Sequence, residues 1–221
     1  MGLTFNRNAR RLGTGAAVAT VILGGAYAVT LLAGLWSLES PQQPIGDPLF
    51  SILELLIIFS MPTMVALMVS IHAWASPDTK VFSFMAVVFT SLAAVITTSL
   101  HFVVLAVSHQ AAFAGLFPLF LSFNWPSVAY ALDILAWDVF FPLAVLSAAP
   151  VFGGTPLSAW VRILLLVSGA LGAAGLSGLV TGDMRLRNIG IVGYAGVYPC
   201  AAMLLAILFH RAEPQLGTAV A

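Results

Sequence analysis

Residues 49–75 read LFSILELLIIFSMPTMVALMVSIHAWA, a run that contains one acidic residue, Glu54, and no lysine or arginine. An α-helix rises about 1.5 Å per residue, so this run reaches about 40 Å as a helix. The hydrocarbon core of a bilayer is about 30 Å thick. The run is therefore long enough and apolar enough to predict a transmembrane helix.

The composition of the whole chain agrees with a location in the membrane. Of the 221 residues, 61% are hydrophobic and 7% are charged, whereas soluble domains average about 45–50% and about 25%. Five further runs of this kind are separated by short segments that contain turn-forming residues. We predict an all-α bundle of six transmembrane helices that forms a single domain over residues 1–221. The predicted helices span residues 13–38, 49–75, 81–107, 127–152, 157–180 and 189–209.

Basic residues near the helix ends predict the orientation. Three arginines precede the first apolar run, as in a secretory signal, but the run continues past Ala28 to Trp36, which favours a retained helix. With the N-terminus inside, six basic residues lie on the cytoplasmic side and two, Arg185 and Arg187, lie outside. We therefore expect a multi-pass protein of the cell (inner) membrane with both termini in the cytoplasm. The six are Arg7, Arg10, Arg11, Lys80, Arg162 and Arg211.

Residues 108–126 read SHQAAFAGLFPLFLSFNWP and differ from the six runs. Gly115 and Pro118 interrupt this segment, which is too short for a spanning helix. Its aromatic side chains are typical of the membrane interface. We expect a short interfacial or re-entrant segment between the third and fourth helices, at the outer surface. It is either a lid or an aromatic loop at the headgroup level, and the loop is the simpler interpretation.

Three ionisable residues on three different helices are expected at one depth. Counting the helical rise from the outer ends places Glu54, His101 and Asp133 about 8–10 Å below the outer boundary. An ionisable group inside the bilayer is costly and is often functional. A histidine between two carboxylates can hold a proton near neutral pH. The same three groups are weak candidates for metal ligands, zinc for example. The plain alternative is that each group only satisfies a backbone or side-chain partner within the bundle, with no ligand involved.

Further polar residues extend this candidate site. Asp138 lies deeper and is expected on a different side of the fourth helix, so it needs its own partner, for which Arg162 is a candidate. Tyr130, Tyr194 and Tyr198 are expected in the same outer half and could complete a polar network. The candidate proton- or ligand-binding residues are Glu54, His101, Asp133, Asp138, Tyr130 and Tyr194.

The second helix also carries a row of methionines. Glu54, Met61, Met68 and His72 follow one another at steps of seven, seven and four residues, so they share a helix face. Thioether and imidazole groups in a row could conduct Cu(I). Methionines on a helix face more often serve as adaptable packing, and packing is the favoured interpretation.

Glycines recur at every third position on the last two helices. Without Cβ atoms two backbones can approach closely, and such small-residue faces are where helices associate in lipid. We expect the fifth and sixth helices to form a tight hairpin, and the alternative is a homo-oligomer contact through the same face. The glycines are Gly169, Gly172, Gly175 and Gly178, then Gly190, Gly193 and Gly196.

Prolines stand inside three of the predicted helices, at Pro62, Pro142 and Pro199. Each proline lacks a backbone N–H and so frees a carbonyl of the preceding turn. Such positions permit kinks and are common around cavities in membrane proteins.

The second half of the chain resembles a known group of proteins. The stretches that carry the resemblance are ALDILAWDVFFPLAVL (131–146), VRILLLVSGALGAAGLSGLV (161–180), RNIGIVGYAGVYP (187–199) and LLAILFHR (204–211). They resemble the C-terminal half of small, uncharacterised six-helix bacterial membrane proteins that form a domain-of-unknown-function family. The resemblance covers less than half of the chain and implies a fold, but it assigns no site residues.

Three functions are compatible with these patterns. The favoured one is binding or transport of a proton or small ligand through an outward-facing polar cavity, because no recognisable catalytic spacing is present. The alternatives are an intramembrane enzyme, possibly metal-dependent, that acts on a lipid-like substrate, and a structural or assembly subunit without a site. The bilayer is the expected partner, and a net charge of zero argues against nucleic acid. No cofactor is predicted apart from the possible metal ion.

Overall fold

The structure, a computed structural model, describes residues 5–40, 43 and 45–213. Within these residues six helices are long and apolar enough to cross a membrane, and no β-strand is present. The predicted fold class is therefore confirmed. The helices are α1 (Arg7–Trp36), α2 (Leu49–Trp74), α3 (Pro77–Val107), α4 (Val128–Val151), α5 (Pro156–Thr181) and α6 (Met184–Arg211).

Helices α1 and α6 begin at least five residues earlier than the hydropathy pattern predicts. Helix α1 begins at Arg7 rather than Gly13, because the side chain of Asn6 accepts hydrogen bonds from the backbone N–H groups of Asn8 and Ala9 and caps the helix. Helix α6 begins at Met184 rather than at residue 189. This earlier start brings Arg187, expected in a loop, into the membrane-spanning segment.

The six helices form a closed ring. Each helix packs on its neighbours in the sequence, and α6 returns to pack against α1. Phe5 contacts Trp74 edge-to-face with ring centroids 4.8 Å apart, and it lies 5.2 Å from Phe209. The two ends of the described chain therefore lie at the same end of the bundle, which we call the termini end. The opposite end is called the loop end.

The methionine row of α2 faces the interior. Met61 is 2% exposed and Met68 is 1% exposed, and both belong to the main hydrophobic core together with Met64. The prediction that these methionines are packing residues is confirmed. His72 lies near the termini end, where its Nδ1 is 2.8 Å from the hydroxyl of Ser83 on α3.

The glycines of α5 and α6 allow the predicted tight hairpin. A Cβ atom on Gly193 would lie 2.7 Å from the carbonyl oxygen of Ser168, and the hydroxyl of Ser168 donates a 2.9 Å hydrogen bond to the carbonyl of Gly193. Close contact of the two helices is thus confirmed. Gly169 instead faces Leu146 of α4, so the glycines of α5 serve two neighbouring helices. A role in homo-oligomer formation stays a prediction.

Two of the three prolines follow π-helical segments. These segments are Leu135–Phe140 in α4 and Val192–Val197 in α6, and each is followed two residues later by a proline. Pro142 and Pro199 cannot donate to the preceding turn, and their rings would clash with the carbonyl four residues earlier. One extra residue in the turn relieves this conflict. Pro62, by contrast, lies within a continuous α-helix.

The segment at residues 108–126 contains no helix long enough to cross a membrane, as expected. It contains two short helical turns, Ala111–Phe113 and Phe117–Phe120, at the loop end. Leu121 is buried against Leu100 and Val104 of α3, and Phe123 packs on the same cluster. The segment therefore covers the loop ends of α3 and α4.

Candidate functional site

Glu54 of α2 and His101 of α3 form a direct contact near the loop end. Nδ1 of His101 lies 2.8 Å from Oε2 of Glu54, which is a hydrogen-bond distance. Both residues are 4% exposed. The two groups lie at one height and are in direct contact.

Asp133 of α4 lies on the other side of the imidazole ring. Its Oδ1 is 3.9 Å from Nε2 of His101, which is close enough for an ion pair but too long for a direct hydrogen bond. Within the part of the chain that the structure describes, Nε2 has no hydrogen-bond partner. His101 therefore stands between two carboxylates with one ring nitrogen engaged and the other free.

Arg187 of α6 also joins this group, so that four helices, α2, α3, α4 and α6, contribute to it. Its Nη2 lies 2.5 Å from Oδ2 of Asp133, and its Nε donates a 2.9 Å hydrogen bond to Oδ2 of Asp138. A single guanidinium thus bridges two carboxylates of α4. We call the connected residues Glu54, His101, Asp133, Arg187 and Asp138 the polar network.

The structure corrects two predictions about Asp138. Its partner is Arg187, because Arg162 is exposed and lies in another part of the molecule. Asp133 and Asp138 were also expected on different sides of the helix, but both bind the same guanidinium. The π-helical segment from Leu135 to Phe140 contains Asp138, and its wider turn reduces the rotation between the two carboxylates.

Asp138 is accommodated by glycines. The residue is 0% exposed, and a Cβ atom on Gly190 would lie 2.5 Å from its Oδ1, while one on Gly175 would lie 2.6 Å away. Among the described residues Oδ1 has no conventional hydrogen-bond partner. Its close neighbours are glycine Cα atoms, which can donate weak Cα–H···O contacts. The glycines therefore make room for the carboxylate as well as for the helix contact.

Aromatic side chains surround the guanidinium and the imidazole. The Cζ of Arg187 lies 4.4 Å from the ring centroid of Tyr130, a cation–π distance. The ring of Tyr194 lies 4.9 Å from that of Trp137, and Tyr194 is close enough to Arg187 to interact with its charge. The hydroxyl of Tyr198 has no partner among the described residues. Tyr130 and Tyr194 therefore lie beside the polar network, and Tyr198 does not join it.

The segment at residues 108–126 contacts the site directly. Phe123 stacks on the imidazole of His101, with ring centroids 5.0 Å apart and an angle of 18° between the planes. Asp133 is the most exposed network member, with 14% of its side chain accessible. The polar network is therefore enclosed, and Phe123 covers it at the loop end.

The arrangement does not favour a metal ion. His101 directs its two nitrogens to opposite edges of the ring, toward Glu54 and Asp133 respectively, so one ion could not contact all three groups. Among the described residues no group of three His, Cys, Asp or Glu side chains is placed to hold a metal. The metal hypothesis gains no support from this geometry.

Arg187 is the one member of the polar network that the hydropathy pattern does not place inside the membrane. Its helix was expected to begin after it, and it was counted among the basic residues outside the membrane. One signal was present, because Arg187, Gly190 and Tyr194 are spaced three and four residues apart and share a helix face.

No protein-family model, curated protein or solved structure matches this chain.

Proposed function

We propose that this protein binds and releases protons inside the membrane, as the basis of proton-coupled transport of a small ligand. The proton-accepting group is His101, and Glu54 and Asp133 stabilise its charged form. The observation that carries this proposal is the position of the imidazole, which lies 2.8 Å from one carboxylate and 3.9 Å from another.

The balance of charge in the polar network supports proton binding. Three carboxyl groups face one guanidinium, so the network carries excess negative charge when His101 is neutral. Net charge inside a bilayer is unfavourable. Uptake of a proton by His101 reduces the excess, and uptake of a second by a carboxyl group removes it. The network therefore has a physical reason to take protons from the solvent.

The network also offers a way to link proton binding to helix movement. Asp133 interacts with both His101 and Arg187, so a change of charge on the imidazole alters the competition for this carboxylate. Arg187 belongs to α6, whereas His101 belongs to α3. Proton uptake at His101 would thus shift the contact between α4 and α6. If the termini are cytoplasmic, as the basic residues predict, protons enter from the outside past Phe123.

The proposal predicts that Glu54→Gln changes proton uptake without unfolding the protein. Glutamine keeps a hydrogen bond to His101 but removes the negative charge, so the imidazole should protonate less readily. In nanodiscs, a jump from about pH 8 to about pH 5 should drive uptake of at least about one proton per molecule in the parent. The uptake, measured with a pH-sensitive dye, should move to lower pH in Glu54→Gln and in Asp133→Asn.

The matched control is a second histidine–carboxylate pair outside the membrane. Nε2 of His109 lies 3.1 Å from Oδ2 of Asp47, and both side chains are about half exposed. The hydroxyl of Ser51 donates to Asp47 and holds the pKa of this carboxyl below its usual range. Asp47→Asn should leave unchanged the part of the proton uptake that is lost in Glu54→Gln. Identical uptake curves for the parent, Glu54→Gln and Asp133→Asn would refute the proposal.

A structural role is the second candidate, and one observation favours it. Asp138 and Arg187 are 0% and 4% exposed and form an ion pair that joins two helices. A purely structural network would lose thermal stability on substitution but would show no titration that depends on Glu54. The proton-uptake experiment therefore separates the two functions.

A further inference from the structure

Polar side chains form a buried row along α3. Only its last member, His101, also belongs to the polar network. The row consists of Ser83, Thr90, Thr97 and His101, at steps of seven, seven and four residues, so its members share a helix face. Their exposed fractions are 0%, 3%, 1% and 4%. From Ser83 to His101 the helix rises about 27 Å, close to the thickness of the hydrocarbon core, about 30 Å.

The two threonines of the row differ from several hydroxyl residues elsewhere in these helices, although the buried hydroxyl of Thr14 also has no partner among the described residues. Thr20, Ser60 and Ser91 each donate a hydrogen bond to the carbonyl four residues earlier. The hydroxyls of Thr90 and Thr97 have no partner within the described ranges. A buried hydroxyl without a partner is unfavourable, and an internal water commonly satisfies such a group. Both hydroxyls are therefore sites where water is expected.

The row ends at a histidine on each side. At the termini end the Ser83 hydroxyl lies 2.9 Å from the carbonyl oxygen of Lys80 and 2.8 Å from Nδ1 of His72, so by rotating it can donate its proton to either acceptor. At the loop end lies His101 with the free Nε2 described above. Between Ser83 and Thr97 the other buried residues of α3 are small, namely Ala86, Ala93 and Ala94. Helix α3 itself thus places no large side chain between the hydroxyls.

We propose that Ser83, Thr90 and Thr97 line a chain of water molecules that conducts protons between His101 and His72. This inference rests on the proposed function and extends it from proton binding to proton passage through the membrane. Successive hydroxyls are about 10 Å apart along the helix, a gap that about three waters can bridge at about 2.8 Å per hydrogen bond.

Each transfer along this chain conserves atoms and charge. An oxygen that receives a proton on one side gives up another proton on the other side, so one O–H bond forms as one breaks. Glu54 and Asp133 face His101 at the loop end. At the termini end the ammonium group of Lys80 contacts the carbonyl of His72. The excess proton thus starts beside two carboxylates and leaves near the basic termini end.

The test compares proton flux in proteoliposomes that carry the parent or the variants Thr97→Val and Thr90→Val. Valine keeps the shape of threonine but removes the hydroxyl. With a potassium diffusion potential as driving force and pyranine inside the vesicles, each variant should lower the flux about tenfold, the effect of losing one hydrogen bond. Thr97→Ser restores a hydroxyl and should retain most of the parental flux.

The control is Ser99→Ala, which removes a hydroxyl from the opposite face of the same helix. Ser99 is exposed, and two residues of helical rotation turn it away from Thr97. This variant should conduct as the parent does. Parental flux in both buried valine variants, an equal loss in Thr97→Val and Thr97→Ser, or a parent that conducts no protons would each overturn the water chain. The proposed function fails separately, if Glu54→Gln leaves equilibrium proton uptake unchanged.

Discussion

Replacing Arg187 with glutamine is expected to lower the free energy of unfolding by about 3–5 kcal/mol, the usual effect of removing one partner from a buried ion pair. The guanidinium compensates Asp138, which is 0% exposed, and it also binds Asp133. Glutamine is too short to reach both carboxylates and carries no charge. Unfolding in detergent mixtures, followed by tryptophan fluorescence, should show the loss as a marked shift of the transition.

Two comparisons make this result specific. Arg185→Gln removes an arginine two residues earlier that is exposed, so its effect should stay within about 0.5 kcal/mol. The double variant Arg187→Gln/Asp138→Asn should be more stable than Arg187→Gln alone, since an amide at position 138 needs no counter-charge. Equal stability of Arg187→Gln and Arg185→Gln would show that the ion pair does not hold α4 and α6 together.

Gly193→Ala is expected to destabilise the contact between α5 and α6 strongly. The new Cβ atom would lie 2.7 Å from the carbonyl oxygen of Ser168 and 2.9 Å from the backbone nitrogen of Gly172. Both contacts involve backbone atoms, which cannot rotate away. Separating α5 from α6 would also stretch the hydrogen bond from Ser168 to residue 193. Such overpacking should cost about 1–3 kcal/mol of unfolding free energy, measured by the same detergent titration.

Gly196→Ala provides the matched control three residues later. The Cβ atom there would have only Val192 near it, 3.9 Å away, so ordinary van der Waals contact results. Alanine is also the better helix former. We expect stability equal to or slightly above that of the parent. If Gly193→Ala and Gly196→Ala both had the same free energy of unfolding as the parent, the close approach of α5 and α6 would be wrong.

The six helices and part of the site follow from simple physical rules applied to the sequence. Hydropathy identifies the helices because each must fill the bilayer with apolar side chains. Counting the helical rise from the ends then places Glu54, His101 and Asp133 at one height. That count gives height only, and the pairing of His101 with Glu54 depends in addition on α2 and α3 being neighbours.

The inner half of the polar network could not be predicted in the same way. The N-terminus of α6 lies before its most apolar residues, so hydropathy placed Arg187 outside the membrane. With Arg187 expected outside the membrane, the sequence offers Arg162 as the candidate partner of Asp138. The roles of Gly175 and Gly190 were also hidden, because a small-residue pattern indicates close packing but does not show that a carboxylate fills the space.

The ion pair between Asp138 and Arg187 constrains how the protein is assembled. The partners are 49 residues apart in the chain, and membrane helices emerge from the ribosome in order. Helix α4 therefore enters the bilayer with Asp138 uncompensated and must wait for α5 and α6 to be synthesised. During this interval no residue of α6 can offset the charge of Asp138, and the ion pair can form only after Arg187 has been synthesised.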